Sequence, residues 1–231
     1  MHQHLPTRKP GQLLDFLRRN WEILLLVAIG LLLLLQLSSS GVVSPESIRY
    51  PLARWLLTAL DTLRMVVVPL LLPLSVLLGG VMLFVPRRSR LRRSLIDLFA
   101  IWYCIRILLD FLLINLLLFV PVPDHALLAL QLVCFLPCLL LIWGWVYWRL
   151  DMIAISHGGK EMFRFNTADP SETKVYDYFL ASFNSVLSPT LSGFTGQTRF
   201  ARTLIFLHGI MIWNVMALIL TRAIGSISVV K

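Results

Sequence analysis

Residues 175–221 read VYDYFLASFNSVLSPTLSGFTGQTRFARTLIFLHGIMIWNVMALILT, and three textures follow one another in them. Residues 175–187 suit a helix but fall short of the about 20 apolar residues that cross a bilayer. Residues 188–197 are polar and contain Pro189, Gly193 and Gly196. Residues 203–221 are then a full apolar span. Half a helix, a polar break and a span form the pattern of a re-entrant loop, which persists at membrane depth only where protein or a wet cavity covers its backbone. The expected fold is all-α: a polytopic transmembrane helical bundle of about five spans plus a re-entrant half-helix.

Composition agrees with a membrane setting. The 231 residues are 58% hydrophobic and 14% charged, whereas soluble domains are typically about 45–50% apolar and about 25% charged. A soluble enzyme is excluded on this ground. A single-span anchored domain is excluded as well, because no polar segment is long enough to build a core of its own.

Residues 1–20 form a basic N-terminus with Arg8, Lys9, Arg18 and Arg19, and residues 21–37 a first span. The small residues after it are not of A-x-A type, so it reads as a span and not as a cleaved leader. Ser44-Pro45-Glu46 looks like a helix start, opening an interfacial helix near 45–64 that carries Arg49, Arg54, Asp61 and Arg64. Residues 65–85 complete a second span in which Pro69 and Pro73 should introduce kinks. Arg87, Arg88, Arg90, Arg92 and Arg93 follow. A hairpin of spans over 95–120 and 126–148 ends in Trp143, Trp145, Tyr147 and Trp148, resembling an interfacial aromatic belt. Residues 21–149 thus form a four-span region, 150–174 a polar loop, and 175–231 the pore-loop-like unit.

The net charge of +9 would suggest nucleic acid in a soluble chain. Here the arginines flank apolar spans, where they set topology and meet anionic lipid headgroups; nucleic acid is not an expected partner. The two richest clusters, at the N-terminus and at 87–93, belong in the cytoplasm by the positive-inside rule, and by parity so does the loop at 149–177. The N-terminus is therefore expected to be cytoplasmic and the protein integral to a plasma membrane, the inner membrane of a bacterium. Arg87, Arg88, Arg90, Arg92, Arg93, Arg199 and Arg202 are the expected lipid-facing bases.

Inside the spans, Arg106 and Asp110 stand four apart on one helical face and can pair, which offsets the roughly 2.5–3.5 kcal/mol that a lone charge costs at the bilayer centre. They mark either an ion or proton path or a structural ion pair. Asn115 and Asn214 line a cavity or hydrogen-bond between helices. His208 is either proton-responsive or held by one structural hydrogen bond. Ser188, Thr190, Ser192 and Gly193, at the polar break, are the pore or filter candidates. Cys104, Cys134 and Cys138 lie in apolar segments with no ligand spacing around them, so neither metal nor other cofactor is expected. No nucleophile with a base, paired catalytic carboxylates or phosphate-binding loop occurs, and no enzyme activity is expected.

The segment starting at Asp177, DYFLASFNSVLSPTLSGFTGQTRFARTLIFLHG, resembles the pore region of two-span potassium channels. Tyr178-Phe179 and Ser182-Phe183 match the pore helix, and Ala201-Arg202 the start of the inner helix. The filter differs: Ser188 stands at the threonine, and Thr190, Leu191, Ser192 and Gly193 at the glycine, tyrosine, glycine and aspartate. Successive backbone carbonyls aimed at an ion need glycine at positive φ, so potassium selectivity is not implied. Most of the chain also resembles a family of small uncharacterised bacterial multi-span membrane proteins with a degenerate loop of this type. Gly158-Gly159 with Phe163, Tyr178-Phe179, Ser182-Phe183, Ser192, Arg199, Arg202 and Leu207-His208-Gly209 fall in that family's order; its T-F-Q portion is replaced by Ser188-Pro189-Thr190 and its aspartate by Gly193.

The resemblance implies a channel-like protein for cation permeation, assembled as a homo-oligomer because one pore loop encloses nothing alone. The alternative is a non-conducting structural or auxiliary subunit working with other membrane subunits. Potassium channels admit the pore loop from outside, whereas the arginine count here places it on the cytoplasmic side. The arginine count sets the expected orientation.

Overall fold

In the computed structural model the described residues are 10–38, 51–86, 89–116, 125–165, 173–187 and 194–228. They form α1 (Pro10–Ser38), α2 (Pro51–Phe84), α3 (Arg90–Leu116), α4 (His125–Ser156), β1 (Phe163–Phe165), α5 (Val175–Leu187), β2 (Phe194–Gly196) and α6 (Arg199–Ser228). The fold is all-α apart from β1 and β2, which pair antiparallel with Phe163 opposite Gly196 and Phe165 opposite Phe194.

Side-chain periodicity explains the bundle. On α1 the buried residues are Ile23, Leu26, Ile29 and Leu33; on α3 they are Ile96, Phe99, Ala100, Tyr103, Ile107 and Ile114. Steps of three and four put each set on one helical face. These faces meet Phe135, Cys138, Leu139, Ile142 and Trp145 of α4 and Ile212, Val215 and Leu218 of α6 in one continuous core. The opposite face of α3 is not polar. Leu98, Ile101, Ile105, Leu108 and Leu112 are exposed on it, while Arg106 and Asp110 turn inward to the core side at 2% exposure each. A helix with leucine outside and charge inside has the polarity of a surface that faces hydrocarbon.

Among the described residues, two stretches are long and apolar enough to cross a membrane, Gln131–Ser156 and Arg199–Thr221. The expected count of about five spans is therefore not supported. Over its described side chains α1 contributes the shorter apolar stretch Asn20–Leu35, and α3 carries Arg92, Arg93, Asp97, Arg106 and Asp110 along its length.

Several boundaries differ from those expected. The interfacial segment near 45–64 and the second span do not separate: α2 is one helix from Pro51 that runs on through Pro69 and Pro73. Ser44-Pro45-Glu46 lies outside the described residues, and the Asp61 and Arg64 side chains outside the described side chains. The polar loop begins later than expected, because α4 continues to Ser156. There Gly158, at φ 75°, turns the chain in the left-handed region that glycine enters without strain, and the Gly159 N–H donates to the Ala154 carbonyl at 2.9 Å.

Candidate functional site

The helix ends come together around charge. The Arg93 guanidinium on α3 donates to both carboxylate oxygens of Glu22 on α1, at 2.9 and 2.8 Å, and lies 3.3 Å from Asp97. Arg149 on α4 holds Asp97 through two bonds, at 2.9 and 2.6 Å, the fork geometry that carboxylates match. Arg92 donates to the Asn20 side chain at 2.9 Å and is buried. Arg93 also lies over the Trp148 ring, and Trp148 packs edge-on against Trp21. The chain Glu22, Arg93, Asp97, Arg149 thus fixes the first turns of α3 against the middle of α1, just after the break in helical geometry at Asn20, and against the last third of α4.

This corrects two expectations. Arg92 and Arg93 turn to partners on α1: Arg92 is buried on the neutral Asn20 amide, and Arg93, partly exposed, pairs with Glu22. The aromatic run 143–148 is not an interfacial belt either, since Trp145 and Tyr147 are buried, Trp148 packs on Trp21 and Trp143 stacks on His208. Arg90, Arg199 and Arg202 remain exposed, while Arg87 and Arg88 lie outside the described residues.

Two residues beyond Arg149, Asp151 of α4 is 1% exposed. Its carboxylate accepts the N–H groups of Met162 at 2.5 Å and Phe163 at 3.3 Å, and the Tyr178 hydroxyl of α5 at 2.5 Å. One buried side chain thereby anchors the start of β1 and the first half of α5. Burial, and then the bond to Asp151, push the Tyr178 phenol above its ordinary range, which keeps it a donor. At the head of α5 the Lys174 N–H donates to the Asp177 carboxylate at 2.6 Å, one arm of a capping box.

From there α5 descends along α4 in the opposite direction. Tyr178 meets Asp151, Phe179 lies against Gly144, and the Ser182 hydroxyl donates to the Leu140 carbonyl at 2.7 Å. Leu140 precedes Asp151 by eleven residues, about 16 Å of helix. Close approach depends on Gly144, because a Cβ there would stand 2.6 Å from the Phe179 ring and 3.0 Å from its Cα. After α5 the chain is back at the Asp151 end: the Phe194 ring stacks on Phe163 and packs against Tyr147 and Phe165. The Gln197 N–H donates to the Met162 carbonyl at 2.8 Å, extending the β1–β2 pairing. Thr198 then caps α6 by accepting the Ala201 N–H at 3.0 Å. Descent and return thus share one end of the bundle, the end that carries Arg92, Arg93 and Arg149.

The intramembrane candidates are mostly closed. Arg106 and Asp110 pair at 2.9 Å, both side chains 3% exposed. Asn115 donates to the Phe111 carbonyl of its own helix at 2.8 Å, not to a neighbouring helix. His208 is fully buried, bonded through Nδ1 to the Tyr147 hydroxyl at 2.9 Å and stacked 4.8 Å from Trp143. Its partner is thus on α4. The buried Oδ1 of Asn214 has no hydrogen-bond partner. Ser185 returns its hydroxyl to the Ser182 carbonyl at 2.5 Å. The filter candidates Ser188, Thr190, Ser192 and Gly193 lie outside the described residues.

Sequence reasoning missed Asp151, Tyr147 and Gly144 as anchors. Asp151 carried a signal: it is the first carboxylate after a long apolar run, followed by two glycines that turn the chain back over it. Among the described residues no group of three or more His, Cys, Asp or Glu side chains could hold a metal ion, and the three cysteines are free thiols. No protein-family model, no curated protein and no solved structure matches this chain.

Proposed function

We propose that this chain is an integral membrane protein of channel-like build, in which the re-entrant unit of α5, the polar break and α6 forms a cation permeation path at the common axis of a homo-oligomer. The course of α5 carries the reading: it descends beside α4 to the level of Leu140 and the chain is back beside Phe163 by Phe194. A short helix that enters and leaves at one end is the element on which a pore loop is built. With Ser188, Thr190 and Ser192 in the break, selectivity would rest on side-chain hydroxyls and not on a potassium-type row of carbonyls.

In this reading α1, α2, α3, α4 and α6 all cross, giving five passages. The arginine-rich end lies in the cytoplasm of a bacterial inner membrane, together with the N-terminus and the loop before α5. Anionic lipids of that leaflet are the neighbours of the exposed arginines.

A second reading is favoured by one observation. Arg106 closes on Asp110, Asn115 on its own helix, and Ser182 and Ser185 on backbone carbonyls, so the described polar groups at depth do not form an open row. A non-conducting auxiliary subunit would keep the re-entrant fold for such packing alone. Cation flux into liposomes containing the purified protein, compared with a Ser192→Trp variant, separates the two. The channel reading expects protein-dependent flux that the variant loses. Absence of flux at every voltage, pH and membrane tension tried would contradict it and leave the auxiliary role.

A further inference from the structure

A groove of about 670 Å³ runs along the outer side of α6 and is divided by polarity. Its mouth, at the β2 end, is formed by Thr195, Gln197 and Arg202; below it the walls are Phe206, Gly209, Ile210 and Trp213. Phe206 and Trp213 are 67% and 64% exposed, too large and too apolar to face water without cause.

The geometry points to a binding site for one anionic phospholipid, its phosphate on Arg202 and one acyl chain laid along α6 to Trp213. Charge supports the mouth. Arg93 and Arg149 are neutralised by Glu22 and Asp97, whereas Arg202 pairs with no carboxylate among the described residues. Its Nε donates to the Gly196 carbonyl at 3.0 Å, which holds the guanidinium at the mouth. Length supports the rest. Arg202 and Trp213 are eleven residues apart, about 16 Å of helix, which is close to half of the about 30 Å hydrocarbon core and so to one leaflet. Shape supports it too, because Gly209 leaves the floor open: a Cβ there would meet nothing within 4 Å. The phosphate would lie at the arginine-rich end, in the leaflet whose lipids are anionic.

The inference rests on the membrane reading above and gives its lipid partner a place. Native mass spectrometry of the purified full chain, with phosphatidylglycerol or phosphatidylcholine added, tests it in the wild type, Arg202→Gln and Gly209→Leu. Both lipids carry a phosphate, but in phosphatidylcholine the choline cation offsets its charge, so an unpaired Arg202 is expected to favour the net-anionic phosphatidylglycerol by about tenfold in the wild type. Arg202→Gln should remove that preference. Gly209→Leu, which fills the groove from a position with free space, should remove both adducts while leaving helicity and Tm unchanged. Equal adducts of the two lipids on the wild type would overturn the proposal, as would a wild-type adduct on Gly209→Leu. So would a protein recovered as a dimer that Gly209→Leu dissociates, which would assign the groove to a second copy. Carbonate extraction of membranes tests the underlying reading separately: release of the chain into the supernatant would contradict membrane integration whatever the adducts.

Discussion

Helix α4 has two neighbours that it treats differently. Against α5 it is keyed at three levels, by the Asp151 carboxylate on Tyr178, by Gly144 under Phe179 and by the Leu140 carbonyl on Ser182. Against α6 its one described side-chain hydrogen bond runs from Tyr147 to His208, and the far side of α6 is exposed from Phe206 to Leu220. The keyed seam holds a helix too short to cross a membrane. The open one belongs to a helix long enough to cross. Directional bonds are thus placed where hydrophobic length cannot fix position, since apolar side chains gain no depth or register from lipid that is as apolar as themselves.

Breaking the keyed seam at its anchor should have the largest effect. Asp151→Ala leaves two backbone N–H groups and the Tyr178 hydroxyl without their acceptor, and a loss of about 3 kcal/mol or more is expected. Thermal unfolding in detergent would read it, and a Tm within a degree of wild type would contradict the role given to Asp151. Gly144→Ala should cost about 2 kcal/mol through overpacking against Phe179. Phe179→Ala in the same chain should return part of it, which distinguishes a clash from lost helix geometry. Tyr147→Phe removes the single bond to His208 at a cost of about 1 kcal/mol. Trp213→Ala, on the open side, should stay within about 0.5 kcal/mol; a larger loss would mean that this face is covered within the protein. Hydrogen exchange at residues 175–187 sharpens the contrast, because the first two variants should expose α5 and the last two should not.

The bounds of α5 and its shortness were legible in the sequence, since a 13-residue helix-compatible stretch, Val175–Leu187, running into a polar break has few alternatives. So was the inward pair of Arg106 and Asp110, from spacing alone. Three features were not. Arg92 and Arg93 looked like lipid contacts because one-dimensional charge counting cannot see Asn20 and Glu22, more than 70 residues away. The Phe163–Phe165 strand has no period of its own and exists only through Phe194–Gly196. Tryptophans 143–148 fit an aromatic belt by composition, yet α4 sits centrally and buries Trp145 and Tyr147. Each miss is a contact between distant segments, which local pattern cannot carry.

The central claim is that residues 175–187 enter and leave on one side, the side of the arginines. Single cysteines at Lys160→Cys and Gln197→Cys, in a chain with Cys104, Cys134 and Cys138 replaced by alanine, test it with a membrane-impermeant maleimide. His125→Cys, at the first residue of α4, serves as the reference for the opposite end of that helix. Both exposed positions are expected to label together, in inverted vesicles and not in intact cells, with His125→Cys showing the reverse. Labelling of Lys160→Cys and Gln197→Cys from opposite sides would mean that α5 and the break cross the membrane, and the account would fail.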